Sequence, residues 1–219
     1  MDYSVIGSSS KGNAVVIERN ILVDCGLSWH KIAPYVSDIK LVLLTHVHAD
    51  HFKGSTIRRM FLEKPLIRYG CGSWMVKSLL DAGVNKAQID VLQPNMMYGY
   101  GICNVIPVEL YHDVPNFGYK IHYPKGKVFY ATDTGSLSGI HAKGYDLYLC
   151  EANYEEDELL ARMDAKLKEG RYPYEQRAMR YHLSRKQCDD WLYANMGKNS
   201  EYVYLHCHVD RSENEGPDN

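Results

Sequence analysis

Residues 45–52 read THVHADHF, which packs three histidines and an aspartate into the six positions from His46 to His51. Imidazole and carboxylate are the donor types that hold zinc and other first-row divalent ions. On a helix, metal-binding histidines sit four apart, as in HExxH. Here the spacing is HxHxDH, at the end of the apolar run KLVLLT. Residues two apart on an extended segment face the same way, so His46 and His48 can share one ion. A turn after them aims Asp50 and His51 at a neighbouring point, an arrangement that suits two adjacent metals better than one.

Two metals need further ligands, and other predicted strand ends offer them. ELYHDV supplies His112, and FYATDTG places Asp133 after a strand and before a glycine turn, where a carboxylate can bridge two ions. YLHCHVD supplies His206 and His208 at the end of the last strand. The two fall on one face of an extended segment, so spacing does not choose between them.

The elements that must carry these residues follow from periodicity and turn signals. Strands are predicted at 3–7, 14–18 and 21–24, the last two joined by a tight Arg19-Asn20 turn. The small-residue loop SSSKGN lies between the first two and lets backbone amides approach a ligand. Helical spacing covers 27–36, and 40–45 is a buried strand running into the histidines. Helices near 54–62 and 72–83 flank a strand at 66–70, and further strands follow around 102–110, 117–123, 127–132 and 146–152. A charged helix at 155–168, a helix at 185–195 and a last strand at 202–208 complete the domain, placed at 1–210, before a polar, disordered tail at 211–219. Strands before, between and after helices imply an α/β fold with two sheets and helices outside.

Bulk properties bound the function. The 219 residues suffice for one domain, and the net charge of −2 provides no global positive field for a long nucleic acid. No apolar run approaches a membrane span, and the six cysteines form no CxxC pair, which fits reduced thiols in a cytoplasmic protein.

HxHxDH, then His112, then ATDTG, then a strand-end histidine resembles the metallo-β-lactamase-fold hydrolases. GSSSKGN, LVDCGLS, LTHVHADH, ATDTG, EANY and RYPYEQRAMRYHLS are similar, in order, to landmarks of the YycJ-like branch. That branch includes bacterial nuclease-like proteins and the phage anti-Pycsar phosphodiesterases, which counter cyclic-nucleotide immune signalling. The resemblance implies a four-layer αββα sandwich. It also implies a first metal on His46, His48 and His112, a second on Asp50, His51 and His208, and Asp133 bridging the two. The chain departs from the branch at HCHVDRSEN, which leaves His206 as the alternative last ligand. A homodimer that brings the 171–182 segment near the partner's site is expected on the same ground.

His and Asp donors fit two divalent ions, Zn²⁺ first and Mn²⁺ as the alternative. Asp50, Asp133 and His182 form the expected catalytic set. His182 is a proton donor held beside a helix start by the S-x-x-Q pattern of Ser184 and Gln187. Arg171, Arg177 and Arg180, with Tyr172 and Tyr174, are expected to hold phosphate and stack a base. Three readings follow: a phosphodiesterase opening 3′,5′-cyclic mononucleotides, a nuclease, and a metal-bearing binding or redox protein. Length and charge favour the first.

Overall fold

The structure, a computed structural model, describes residues 1–173 and 175–207. Tyr174 and the tail expected at 211–219 lie outside the described residues. The first sheet holds β1 (Tyr3–Ser9), β2 (Gly12–Ile17), β3 (Ile21–Val23), β4 (Leu41–Leu44), β5 (Arg68–Cys71) and β6 (Ile89–Val91) in chain order. From β3 onward its strands are parallel, with α1 (Trp29–Ile32), α2 (Gly54–Glu63) and α3 (Val76–Asp81) in the crossovers. The second sheet runs from β7 (Tyr98–Gly99) through β8 (Asn104–Leu110), β9 (Asn116–Tyr123), β10 (Gly126–Ala131) and β11 (Leu147–Glu151) to β12 (Glu201–Leu205). Its last three strands are parallel, and α4 (Glu156–Lys168), α5 (Glu175–Tyr181) and α6 (Arg185–Asn195) intervene before β12.

Side-chain alternation sets the layers. In β4, Leu41 and Leu43 enter the core between the sheets, whereas Val42 and Leu44 pack under the helices of the first half. In β10, Val128 and Tyr130 face inward, while Phe129 and Ala131 face a third cluster with Cys188 and Leu192 of α6. Strands buried on both faces read as continuous apolar runs, and a one-residue slip would exchange their two faces. The expected αββα sandwich is the observed fold.

Several local expectations changed. Residues 27–36 hold only the four-residue α1, then a 3₁₀ turn over Ala33–Tyr35, because Pro34 has no amide to continue an α-helix. The 72–83 helix begins as a 3₁₀ turn at Ser73–Met75, before α3. The strands β6 and β7 and the helix α5 add to the sequence-based list. The last strand stops at Leu205, and His206 takes a left-handed φ of 51°. His206 therefore does not continue the strand, which the sequence carried through 208; His208 itself lies outside the described residues.

Candidate metal centre

Parallel strands place their carboxyl ends at one edge, where open α/β sheets bind ligands. Asp24 follows β3, His46 follows β4, Asp133 follows β10, Glu151 closes β11 and His206 follows β12. Asp24, Asp133 and His206 all adopt left-handed backbone, with φ of 60°, 56° and 51°. That region is rare for side-chain-bearing residues and concentrates at functional sites. Local bonds hold these turns. Asn116 donates to the carbonyls of Thr132 and Asp133, and the His206 amide donates to Ser8 Oγ at 2.6 Å.

Two overlapping donor groups result. His46, His48 and His112 offer ligand atoms within 4.8 Å of one another, and so do Asp50, His51 and His206. Asp133 joins the groups, lying with His46 and His51 in one set and with Glu151, His182 and His206 in another. The hydrogen bonds select which nitrogen is free. Asp24 Oδ2 accepts from His51 Nδ1 at 2.7 Å, and the Tyr181 carbonyl accepts from His112 Nδ1 at 3.3 Å. In the His112 ring Nε2 is left as the donor atom, and in the His51 ring Nε2 faces the cluster beside Asp133 Oδ2 and Asn13 Nδ2, each at 2.8 Å; outer partners of this kind orient metal-binding imidazoles. His112 Nε2 and Asp133 Oδ2 are buried without an aligned hydrogen-bond partner, although His51 Nε2 lies 2.8 Å from that Asp133 oxygen. Buried polar atoms are normally satisfied, so these orphans fit an ion that completes them.

The electrostatics agree with this fit. Burial, with His51 close by, pushes the His46 imidazole down to about 2, which keeps its lone pair available. Burial also lowers His112. Burial opposes ionisation of Asp133, yet His51 and His206 outweigh it and hold the carboxyl well below its ordinary range. The donor set is nitrogen and oxygen, and the six cysteines are free and outside it.

Beside the cluster, His182 donates through Nδ1 to Glu151 Oε1 at 2.5 Å. Burial would lower this imidazole, but the Glu151 hydrogen bond and charge raise it. Glu151 is fully buried and its second oxygen accepts the Thr134 amide at 2.9 Å. The expected Ser184–Gln187 capping box is present at the start of α6 and fixes the chain just past His182.

The structure brings His46, His48, Asp50, His51, His112, Asp133 and His182 together as the sequence proposed. His206, the alternative, lies with Asp50 and His51 in one donor group, and His208 lies outside the described residues. The substrate residues divide. Arg177 pairs with Asp113, whose Oδ1 is 3.1 Å from His112 Nε2 and 3.5 Å from His48 Nε2. Arg180 lies over the ring of Tyr181, whereas Arg171 pairs with Glu169 on the exposed surface. Tyr172 is exposed.

Sequence reasoning missed Asp24, Glu151, Asp113 and Asn13 as site residues. The signal for two of them was present: Asp24 in LVDCG and Glu151 in LCEANY are acids at the end of apolar runs. Both are fully buried, which an unpaired acid does not tolerate.

Comparison with known proteins places this geometry. Exodeoxyribonuclease WalJ of Streptococcus pneumoniae is 26% identical over 223 residues, covering 93% of this chain and 80% of that protein. Exodeoxyribonuclease YycJ of Bacillus anthracis is 26% identical over 190 residues, covering 80% of this chain and 68% of that one. Among solved structures, the short form of human tRNase Z aligns with a TM-score of 0.71 at 17% identity, covering 94% of this chain and 92% of the other. Zinc-bound PqqB from Methylobacterium extorquens aligns at 0.64 with 12% identity, covering 94% and 89%. These structural likenesses speak for the metallo-β-lactamase fold. Residues 19–193 match the beta-lactamase superfamily domain, and the chain belongs to that family.

Proposed function

We propose that this chain is a metal-dependent phosphodiesterase that opens 3′,5′-cyclic mononucleotides to linear monophosphates. The observation that carries the reading is the convergence of two donor groups on Asp133, with the Glu151-held His182 beside them. A bound pair of divalent ions supplies Lewis acidity toward phosphate oxygens and lowers the pKa of water. His46, His48 and His112 would hold one ion, and Asp50, His51 and His206 the other, with Asp133 between them. His182 carries the proton chemistry. Its Nδ1 is committed to Glu151, so Nε2 delivers a proton to the departing alkoxide, and the Glu151 hydrogen bond and charge, by raising its pKa, favour the protonated ring. Arg177 meets the phosphate at the rim and Tyr172 stacks a base, which tolerates purines and pyrimidines alike.

Charge supports a small substrate. The net charge is −2, and Arg171 is already paired with Glu169, so a long polyanion gains little attraction. The product chemistry matches the role of an anti-Pycsar-type enzyme acting in a cytoplasm, in a homodimer that light scattering would detect. A second reading, exonuclease, rests on the two exodeoxyribonuclease relatives.

The test presents cyclic CMP, UMP, AMP and GMP beside single- and double-stranded DNA and RNA, with zinc or manganese supplied. Consumption of the cyclic nucleotides with polymers spared is the expected result. Cut polymers with persisting cyclic nucleotides would establish the nuclease, and stoichiometric binding without turnover would make the chain a binding protein.

A further inference from the structure

The SSSKGN segment closes the β1–β2 hairpin and does no work in the chemistry above, yet its last residue, on β2, enters the site. Asn13 is 1% exposed. Its Nδ2 lies 3.3 Å from Asp50 Oδ2, 3.3 Å from the Asp50 carbonyl, 3.1 Å from the Ser9 carbonyl and 2.8 Å from His51 Nε2. Three oxygens around one atom require the amide nitrogen there, which settles the orientation of the side chain. The backbone is stitched in as well: the Asn13 amide donates to the Asp50 carbonyl at 2.7 Å, and the Gly26 amide donates to the Asn13 carbonyl at 3.0 Å.

We propose that Asn13 is the positioning residue of the second-metal group, its side-chain amide fixing the Asp50 carboxylate against His51 and His206. Asp50 is the half-buried member of that group and extends from a turn, whereas His51 and His206 are buried. The histidine group of the other ion receives nothing from Asn13; His46 is held by Thr45 Oγ1 and His112 by the Tyr181 carbonyl. The loop therefore acts on one ion of the pair. The inference rests on the two-metal reading of the site and is independent of the substrate.

Zinc titration calorimetry of Asn13→Ala separates the two binding events, because the variant keeps the backbone bonds and removes only the amide. The second, weaker zinc should bind about 10–100-fold less tightly, the usual effect of losing an outer partner, with the first within about twofold of the parent. In turnover, kcat falls and KM holds. Ser10→Ala, at the exposed hairpin tip, should leave both affinities unchanged. Equal weakening of both zincs in Asn13→Ala, or parent-like binding of both, overturns the proposal. Should Asn13→Ala not fold, Asn13→Ser is read by the same criteria; failure of both to fold makes Asn13 a structural tie and also overturns it. A parent protein that binds no zinc refutes the two-metal reading itself, a result distinct from these.

Discussion

The strand-end cluster and the helical arm of α4 and α5 are both rich in charge, but they use it differently. In the cluster, Asp24, His46, His51, Asp133 and Glu151 are all buried, and each partner is fixed by a backbone turn or a second hydrogen bond. In the arm, the pairs Lys168–Asp164 and Arg171–Glu169 lie in the open. Exposed pairs of this kind contribute little, because water screens them and long side chains resist ordering. The arm touches the cluster at a few points: Arg177 on Asp113, the Tyr181 carbonyl on His112, and the backbone before His182. A Cβ on Gly135 would come within 2.2 Å of the Arg180 carbonyl, so that glycine is what lets the arm settle. Burial thus makes the cluster rigid and unforgiving, while the arm is an adjustable rim.

The largest expected effect breaks that comparison at the cluster. His48→Ala and Asp50→Ala should abolish hydrolysis and lower bound metal below two equivalents, as metal analysis would read. Both should still unfold cooperatively, since neither belongs to a core cluster; aggregation of both would mean the metal is structural. Asp24→Ala should instead damage the fold. It leaves the His51 N–H and the Thr45 amide without their acceptor, a loss of about 1–3 kcal/mol for each buried group, measurable by urea unfolding.

Glu151→Gln sharpens the boundary between the regions, because His182 belongs to the arm's end and Glu151 to the core. We expect kcat to fall about 10–100-fold, the range for losing a general acid's partner. The pH profile carries the sign. Glu151 raises the His182 pKa, and a proton donor loses activity as pH rises through its pKa. Removing the charge lowers that pKa, so the alkaline limb should move to lower pH; an unmoved limb would exclude His182 as the donor.

The smallest effects belong to the arm. Arg177→Ala should raise KM by about two- to tenfold with kcat nearly unchanged, as expected for a rim charge. Arg171→Ala should change neither constant, and a KM increase equal to that of Arg177→Ala would show that the exposed end of the arm reaches substrate.

What the sequence determined by itself is local. HxHxDH announced a metal site because its spacing and its apolar strand lie within one short stretch, and the continuous apolar run of β4 announced a strand buried on both faces. The S-x-x-Q cap of α6 was legible for the same reason, since the two reciprocal bonds of the box run between Ser184 and Gln187, three residues apart. Tertiary structure decided the rest. Asp24, Glu151 and Asn13 look like ordinary acids and amides until five separate strand ends and a hairpin meet, and burial then obliges each to find a partner. The placement of His206 was decided there too: the backbone turns at His206, held by Ser8 from the other end of the chain. No spacing rule within YLHCH contains that contact, because the turn depends on a hydroxyl nearly two hundred residues away.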